Sequence, residues 1–396
     1  MTSFTDELIR RLAAPREQNL FRELRRVDSA TGASIEMGGK MLLNFSANDY
    51  LGLANHPALK KAAIHAVEKF GAGAGAARLV CGSLAPFHEL EEALAAFKKT
   101  ESALTFSTGY AAALGTITAL LGKDDIIILD KLVHACIVDA AKLSGAKLRI
   151  FAHNDLNDLE DKLKWAVSRR SESGKQKAEI LVVTESIFSM DGDAAPLREI
   201  VVLKEKYGAW LMMDEAHATG IIGKNGRGLA DELGVSEQIE IQMGTLGKAL
   251  GASGGYICGS RALVDFLVNR ARSFIFSTAP VPAAAAAATA GIQLVQTDEG
   301  ETRRKNLFTR IGDLKSNLNI QNANLGGAII PLIIGDEAQA VNIAKHLRER
   351  LIFVPAIRYP AVARGAARLR ITLTAAHSAA DVNQLVTALK TLDLGL

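Results

Sequence analysis

One lysine in this sequence stands in company that lysines usually avoid. Lys248 lies in "GTLGKALGASGGY" (244–256), among glycines and other small residues, directly after the apolar run "IEIQM" (239–243). A lysine at the end of a buried strand is poorly solvated, which favours its neutral amine, and a neutral amine attacks aldehydes. Other apolar runs end on residues of equal chemical character. Asp214 and His217 follow "AWLMM" (209–213), and Asp130 and His134 follow "IIIL" (126–129). Glu185 and Ser189 follow "EILVVT" (179–184), and Ser107-Thr108-Gly109-Tyr110 follows "ALTF" (103–106). Thr245 stands three residues before Lys248. Taken singly, each has a plainer reading. "STGY" is either an anion site at a free helix N-terminus or an ordinary N-cap. His134 is either a packing residue or a functional ring.

Taken as a set, the plainer readings lose ground. A lysine can bond an aldehyde and a buried carboxylate can hold a ring nitrogen protonated. An imidazole can stack on a planar ring, and a helix start can hold a phosphate. Those are the requirements of pyridoxal 5′-phosphate (PLP), an electron sink for carbanion chemistry.

The elements that must position these groups are legible in the same text. From about residue 100 to 260, short apolar runs alternate with helical patterns such as "AAALGTITALL", "HACIVDAAKLSG" and "LREIVVLKEKYG", and "AWLMM" leads into "DEAHATG" as the next such pattern. Continuous apolar strands alternating with helices predict a parallel sheet covered on both faces, with ligands at the strands' carboxyl ends. After about residue 285 the texture changes to "AIIPLII", "ARLRITL" and charged helical stretches, predicting a smaller α+β domain. The expected division is an N-terminal helical segment over 1–45, packing on the small domain or a partner subunit, a large domain over 46–285 and a small one over 286–396. "GAGAGAARL" (71–79) lacks the third glycine and the preceding strand of a dinucleotide fingerprint and reads as a pocket-lining loop.

Bulk composition narrows the class. The 396 residues carry a formal charge of only +3, and 48% of them are apolar, enough for a substantial core. The densest basic run, "RELRR" (22–26), reads as a solvated helix face, so no nucleic-acid partner is expected. Three widely spaced cysteines without a CxxC predict neither a disulfide framework nor a metal site and favour the reducing cytoplasm. The amphipathic, charged N-terminus does not read as a signal peptide. No apolar run approaches the roughly 20 residues of a membrane span, and "VPAAAAAATAGIQLV" reads as a buried helix.

Four stretches together carry a family resemblance: "NFSANDYLGL" (44–53), "MDEAHATGIIGKNGRG" (213–228), "GTLGKALGASGGY" (244–256) and "ARLRITLTAAH" (367–377). They resemble the α-oxoamine synthases, PLP-dependent acyltransferases of the fold-type I, aspartate aminotransferase-like α/β class. These enzymes condense an amino acid with an acyl-CoA and release carbon dioxide. The resemblance implies that Lys248 carries the cofactor as a Schiff base and later moves the substrate proton. Asp214 would pair with the pyridine nitrogen, His217 with the phenolic oxygen, and His134 would stack on the ring. Gly109 and Tyr110 would help bind the phosphate, and Ser189 and Thr245 would complete the cofactor contacts. Arg370 would hold the amino-acid carboxylate beside Asn48, and Arg22 would serve the acyl side. Ser277 and Thr278 of "FSTAP" would reach the neighbouring subunit's phosphate, which implies a homodimer with shared active sites. Within the family, "FAHNDL" (151–156) and "FSMDGDAAPL" (188–197) favour the branch joining L-alanine to a pimeloyl thioester, on CoA or a carrier protein. "RLVCGS" (78–83) leans toward the branch joining glycine to acetyl-CoA. One departure stands out: where the alanine-using branch commonly has "PPTV", this chain has "YPAV", which puts Ala361 at a substrate-contact position.

Overall fold

The structure is a computed structural model and describes residues 3–172, 178–320 and 326–392. Positions 1, 2, 173–177, 321–325 and 393–396, which fall within all three expected divisions, lie outside the described residues. By contacts the chain divides into two compact units, one comprising 53–189 and 193–304, the other 1–52, 190–192 and 305–396.

Seven strands organise the larger unit. Their spatial order is Ser102–Phe106, Gly255–Gly259, Ile241–Thr245, Trp210–Asp214, Ile180–Glu185, Ile126–Asp130 and Lys147–Phe151. The last five run parallel; Gly255–Gly259 is antiparallel to both of its neighbours. The expected mostly parallel sheet is present, and its runs are continuously apolar because both faces are covered. Ile127, Leu129, Leu181, Val183 and Met212 pack into one core with the helices Gly109–Leu120 and Ala135–Ser144. The alternate residues Ile126, Ile128, Ile180, Val182, Leu211 and Met213 pack into a second core with Leu156–Glu172 and Leu197–Tyr207. Each such side chain contributes about 1.5–3 kcal/mol on burial. The alanine-rich stretch forms the helix Pro282–Val295, packed on Pro57–Phe70 and Ala85–Lys98.

One expected helix is absent. Residues 216–220 of "DEAHATG", and Ile221 after them, run as successive turns, closed by bonds such as Ala218 N to Glu215 O at 3.0 Å. The reason lies in Glu215, which points inward and forms a fully buried ion pair with Lys98 while accepting from Ala230 N at 3.0 Å. A helix would turn that carboxylate off its partner.

The smaller unit is α+β. One sheet pairs Ser34–Met37 with Lys40–Asn44 and then Ile352–Phe353; the other orders Ile329–Gly335, Ala367–Thr372 and Ala356–Ile357. The helices Phe4–Glu17, Glu337–Glu349 and Ala379–Lys390 belong to it as well.

Candidate active site

The predicted residues fall into two sets, one in each unit. In the larger unit the strands bring their carboxyl ends to one edge. Register pairs Glu185 with Asp214 and Asp214 with Met243, so two carboxylates lie on adjacent strands, 2% and 5% exposed. Burial raises the pKa of both; the neighbouring Asp214 charge raises Glu185 further, and the Lys248 cation pulls both back down. Asp214 accepts from Ala216 N at 2.8 Å, which fixes its carboxylate just past the strand end. Glu185 accepts from His134 N at 2.5 Å and Ser189 N at 3.3 Å. It thereby ties together the starts of two segments that carry predicted site residues. The sequence places Glu185 at a strand end, but its spacing alone assigns it no task.

Lys248 occupies the turn after Ile241–Thr245, half-buried, with Nζ 2.7 Å from His217 Nε2. Thr245 Oγ1 donates to Gly254 O at 3.0 Å and accepts from Gly247 N at 3.2 Å, which holds that turn in shape. The small residues around Lys248 turn out to serve protein packing as much as ligand room. A Cβ on Gly244 would stand 2.3 Å from the buried Tyr256 hydroxyl, which itself lies 2.8 Å from Thr219 Oγ1. A Cβ on Gly255 would stand 2.5 Å from Thr108 O, so only glycine lets the start of the Gly109–Leu120 helix lie against this strand.

At that helix start Thr108 is an N-cap, accepting from Ala111 N at 3.0 Å, while Gly109 and Tyr110 form the open first turn. The N-cap and anion-site readings are therefore compatible: the hydroxyl serves one N–H, and the first N–H groups point outward with the dipole's positive end. The Tyr110 phenol donates to Asp139 Oδ2 at 2.7 Å. His134 caps the next helix, its Nδ1 accepting from Cys136 N at 3.2 Å, which puts the neutral ring's proton on Nε2. Desolvation lowers its pKa; Asp214 opposes that shift and Lys248 adds to it. Ser277 and Thr278 line a small cavity with Ser107, and Thr278 bridges to Ala77 of the glycine-rich loop. That loop also leads to Arg78, which lines the same cavity.

A histidine outside the predicted set braces the Ser189 turn. His153 Nδ1 lies 3.0 Å from Asp130 Oδ1 and its Nε2 lies 2.8 Å from Asp193 Oδ2. Burial alone would lower its pKa, but the two carboxylates raise it to about 10, so the ring is cationic at neutral pH. The signal was present in "FAHNDL" and "DGDAAP", but no local rule joins those stretches.

In the smaller unit, Arg370 Nη1 donates to Asn48 Oδ1 at 3.1 Å, and the Tyr50 hydroxyl donates to the same oxygen at 3.3 Å. Tyr50 is fully buried, which pushes its pKa up to about 12 and keeps it a donor. Arg22 Nη2 donates to Tyr359 O at 2.9 Å, and Ala361 N donates to Arg358 O at 3.1 Å. Arg22 and the exposed Ala361 thus share one turn.

These two sets coincide with a family-level match. Residues 40–389 match the model of the aminotransferase class I and II family. The chain belongs to the aminotransferase class I and II family, in its α-oxoamine synthase branch. It is 46% identical over 392 residues to a protein named 8-amino-7-oxononanoate synthase from Geotalea daltonii, covering 98% of this chain and 97% of that one. A variant of a serine palmitoyltransferase from S. paucimobilis, solved with a bound PLP–myriocin aldimine, superposes with a TM-score of 0.90 at 28% identity, covering 98% of both chains. An 8-amino-7-oxononanoate synthase from Francisella tularensis superposes with a TM-score of 0.73 at 28% identity, covering 89% of this chain and 96% of that one. The donor set of this family member fits PLP: a lysine amine, a buried carboxylate, an uncharged imidazole and a helix start admitted by Gly255 lie around one sheet edge.

Proposed function

We propose that this chain condenses L-alanine with a pimeloyl thioester, releasing carbon dioxide and the free thiol, to give 8-amino-7-oxononanoate. That is the product for which its near-full-length relatives are named. The observation that carries the chemistry is the 2.7 Å approach of Lys248 Nζ to His217, at the sheet edge that also holds Asp214. PLP, when bound, supplies an electron sink for the carbanion at the amino-acid Cα.

The residues have separate tasks. Lys248 would supply the amine that holds the cofactor and, once released from it, the base that moves the amino-acid Cα proton. Asp214 would hold the ring nitrogen protonated; its burial makes a charged donor its best partner, so its effect would fall on the barrier more than on binding. His217 would serve the phenolic oxygen, and His134, whose pKa burial lowers, would stack on the ring. Gly109, Tyr110 and Thr245 take the phosphate, and Ser189, positioned by Glu185, completes the contacts. Arg370 and Asn48 hold the alanine carboxylate, a task suited to a guanidinium fork whose second partner is already fixed by Tyr50. Arg22 and Ala361 serve the acyl side. The larger unit is the cofactor domain and the smaller one the substrate domain.

The working unit is a homodimer in which Ser277 and Thr278 reach the partner's phosphate site. Support comes from the exposed apolar side chains Val80, Phe276 and Val281 around that segment. Cytoplasmic residence is supported by the three free cysteines, and among the described residues no helix is long and apolar enough to cross a membrane.

The alternative pair, glycine with acetyl-CoA, draws on "RLVCGS" (78–83) and "GKALGASGGY" (247–256), while Ala361 marks a departure from the pimeloyl branch. Thiol release measured for alanine and glycine crossed with pimeloyl- and acetyl-CoA separates the two. Alanine with pimeloyl-CoA is expected to give the highest kcat/KM; a preference for glycine with acetyl-CoA would overturn the substrate assignment.

A further inference from the structure

The larger unit holds a buried ion pair to which the proposed reaction gives no task. It stands beside the segments assigned to phosphate. Arg78 is 8% exposed and reaches both carboxylate oxygens of Glu91, donating from Nη1 to Oε1 and from Nη2 to Oε2, the latter at 3.0 Å. Its other donors are engaged as well. Nε and Nη2 each donate to Ser83 Oγ at 3.2 Å, and Nη1 donates to Thr105 Oγ1 at 3.4 Å. Every N–H of the guanidinium thus has an acceptor within the protein. The flat group also lies 5.1 Å from the centre of the Phe87 ring and 5.6 Å from that of Phe274. An arginine so occupied has no donor left for a ligand; its fork holds other segments in place.

Those segments carry the expected phosphate contacts. Glu91 Oε1 accepts from Thr105 N at 2.9 Å and from Thr105 Oγ1 at 2.8 Å. The pair therefore grips the end of the strand Ser102–Phe106, which runs on into Ser107-Thr108-Gly109-Tyr110. On the other side, Ala77 bridges Thr278 in antiparallel register, and Ala76 O accepts from Ala279 N at 3.0 Å. Arg78, Ser107, Ser277 and Thr278 all line one small cavity. The turn Arg78–Gly82 closes tightly over this junction, since a Cβ on Gly82 would stand 2.1 Å from Ala76 O. Two segments far apart in sequence are thus indexed to one guanidinium. Breaking its fork frees both while leaving their own polar groups intact.

We infer that Arg78 and Glu91 are positioning residues for the cofactor phosphate, fixing the segment from Ser107 to Tyr110 against Ser277 and Thr278. The inference rests on the proposed PLP site, in which both segments meet phosphate. In the proposed homodimer the first segment serves its own site and the second the partner's, so one bridge sets a ligand of each.

The test is equilibrium binding of PLP, and of pyridoxal, which lacks the phosphate, to the apoenzyme, read from the lysine-linked absorbance. The ratio of the two affinities isolates the phosphate. Arg78→Lys keeps the charge but cannot span both Glu91 oxygens. It should lower PLP affinity about tenfold and leave pyridoxal affinity within about twofold. Arg78→Met combined with Glu91→Met leaves no lone ion buried and should lower PLP affinity at least as far. Denaturant midpoints establish that the variants are folded, and Arg78→Lys, the milder change, carries the test should the double variant not fold. PLP affinity unchanged in either folded variant, or pyridoxal weakened as much as PLP, would overturn the inference. Ser277→Ala combined with Thr278→Val tests the underlying phosphate reading. An unchanged ratio of PLP to pyridoxal affinity there would remove those residues from the phosphate site, a failure separable from that of the bridge.

Discussion

At the scale of single residues, the site sorts into groups that touch reactants and groups that aim them. Lys248→Ala should leave a folded protein that neither turns over nor develops the cofactor's lysine-linked absorbance; a purified variant retaining either would remove Lys248 from its role. Asp214→Asn should slow exchange of the alanine Cα proton in deuterated solvent by two orders of magnitude or more while alanine affinity changes little. Tyr50 is an aiming residue. Its hydroxyl fixes the Asn48 oxygen that Arg370 also holds, so Tyr50→Phe should raise the KM for alanine about two- to tenfold at nearly constant kcat, the worth of one hydrogen bond. The pH profile carries the sign of the Tyr50 shift. A phenol raised to about 12 keeps its proton as pH climbs through its ordinary 10, so the KM for alanine should show no Tyr50-dependent break between pH 9 and 11. A break there that vanishes in Tyr50→Phe would mean that the hydroxyl ionises early.

At the scale of elements, two charge clusters, one buried and one half-buried, hold loops at the candidate site. His153 bridges Asp130 and Asp193 and so fixes the turn leading to Ser189. Its folded pKa of about 10 lies above the ordinary 6.5, so its stabilisation is complete below pH 6.5 and is lost as pH rises toward 10. His153→Asn should therefore cost about 2–4 kcal/mol at pH 6, with the deficit shrinking by pH 10, as read from denaturant midpoints. A deficit independent of pH would deny the ring its charge. Lys98→Met should cost about 3–5 kcal/mol because it strands the Glu215 carboxylate in a dry interior. These elements also mark where local reading stops. The runs ending at Phe106, Leu129, Thr184, Met213 and Met243 announce their strands, because a two-sided sheet demands nearly unbroken apolar text. "GYICG" does not, since its terminal glycines read as loop until Thr108 is seen packed against Gly255. "DEAHATG" misleads for a related reason: its helical spacing is overruled by an ion pair to a residue 117 positions away.

At the scale of the whole molecule, the chain devotes one compact unit to the expected cofactor ligands and the other to the expected substrate ligands. The gathering of these groups was legible wherever a residue of unusual chemistry ended a strand or followed one closely, as for Asp214 and for Lys248, His217 and His134. It was illegible wherever the partner lies far off in sequence, as for Glu185 with His134, 51 positions away, or His153 with Asp193, 40 positions away. Full-length likeness to named relatives points to the reaction, and the geometry gathers candidate residues for it. The most direct test of the central claim follows the alanine carbons. PLP-loaded enzyme is incubated with pimeloyl-CoA and alanine labelled with carbon-13 at the carboxyl carbon only, or at the other two carbons only. The account predicts one labelled carbon dioxide per CoA released from the first and a doubly labelled 8-amino-7-oxononanoate from the second, both lost in Lys248→Ala. Labelled pyruvate in place of those products, or thiol release without carbon dioxide, would contradict it.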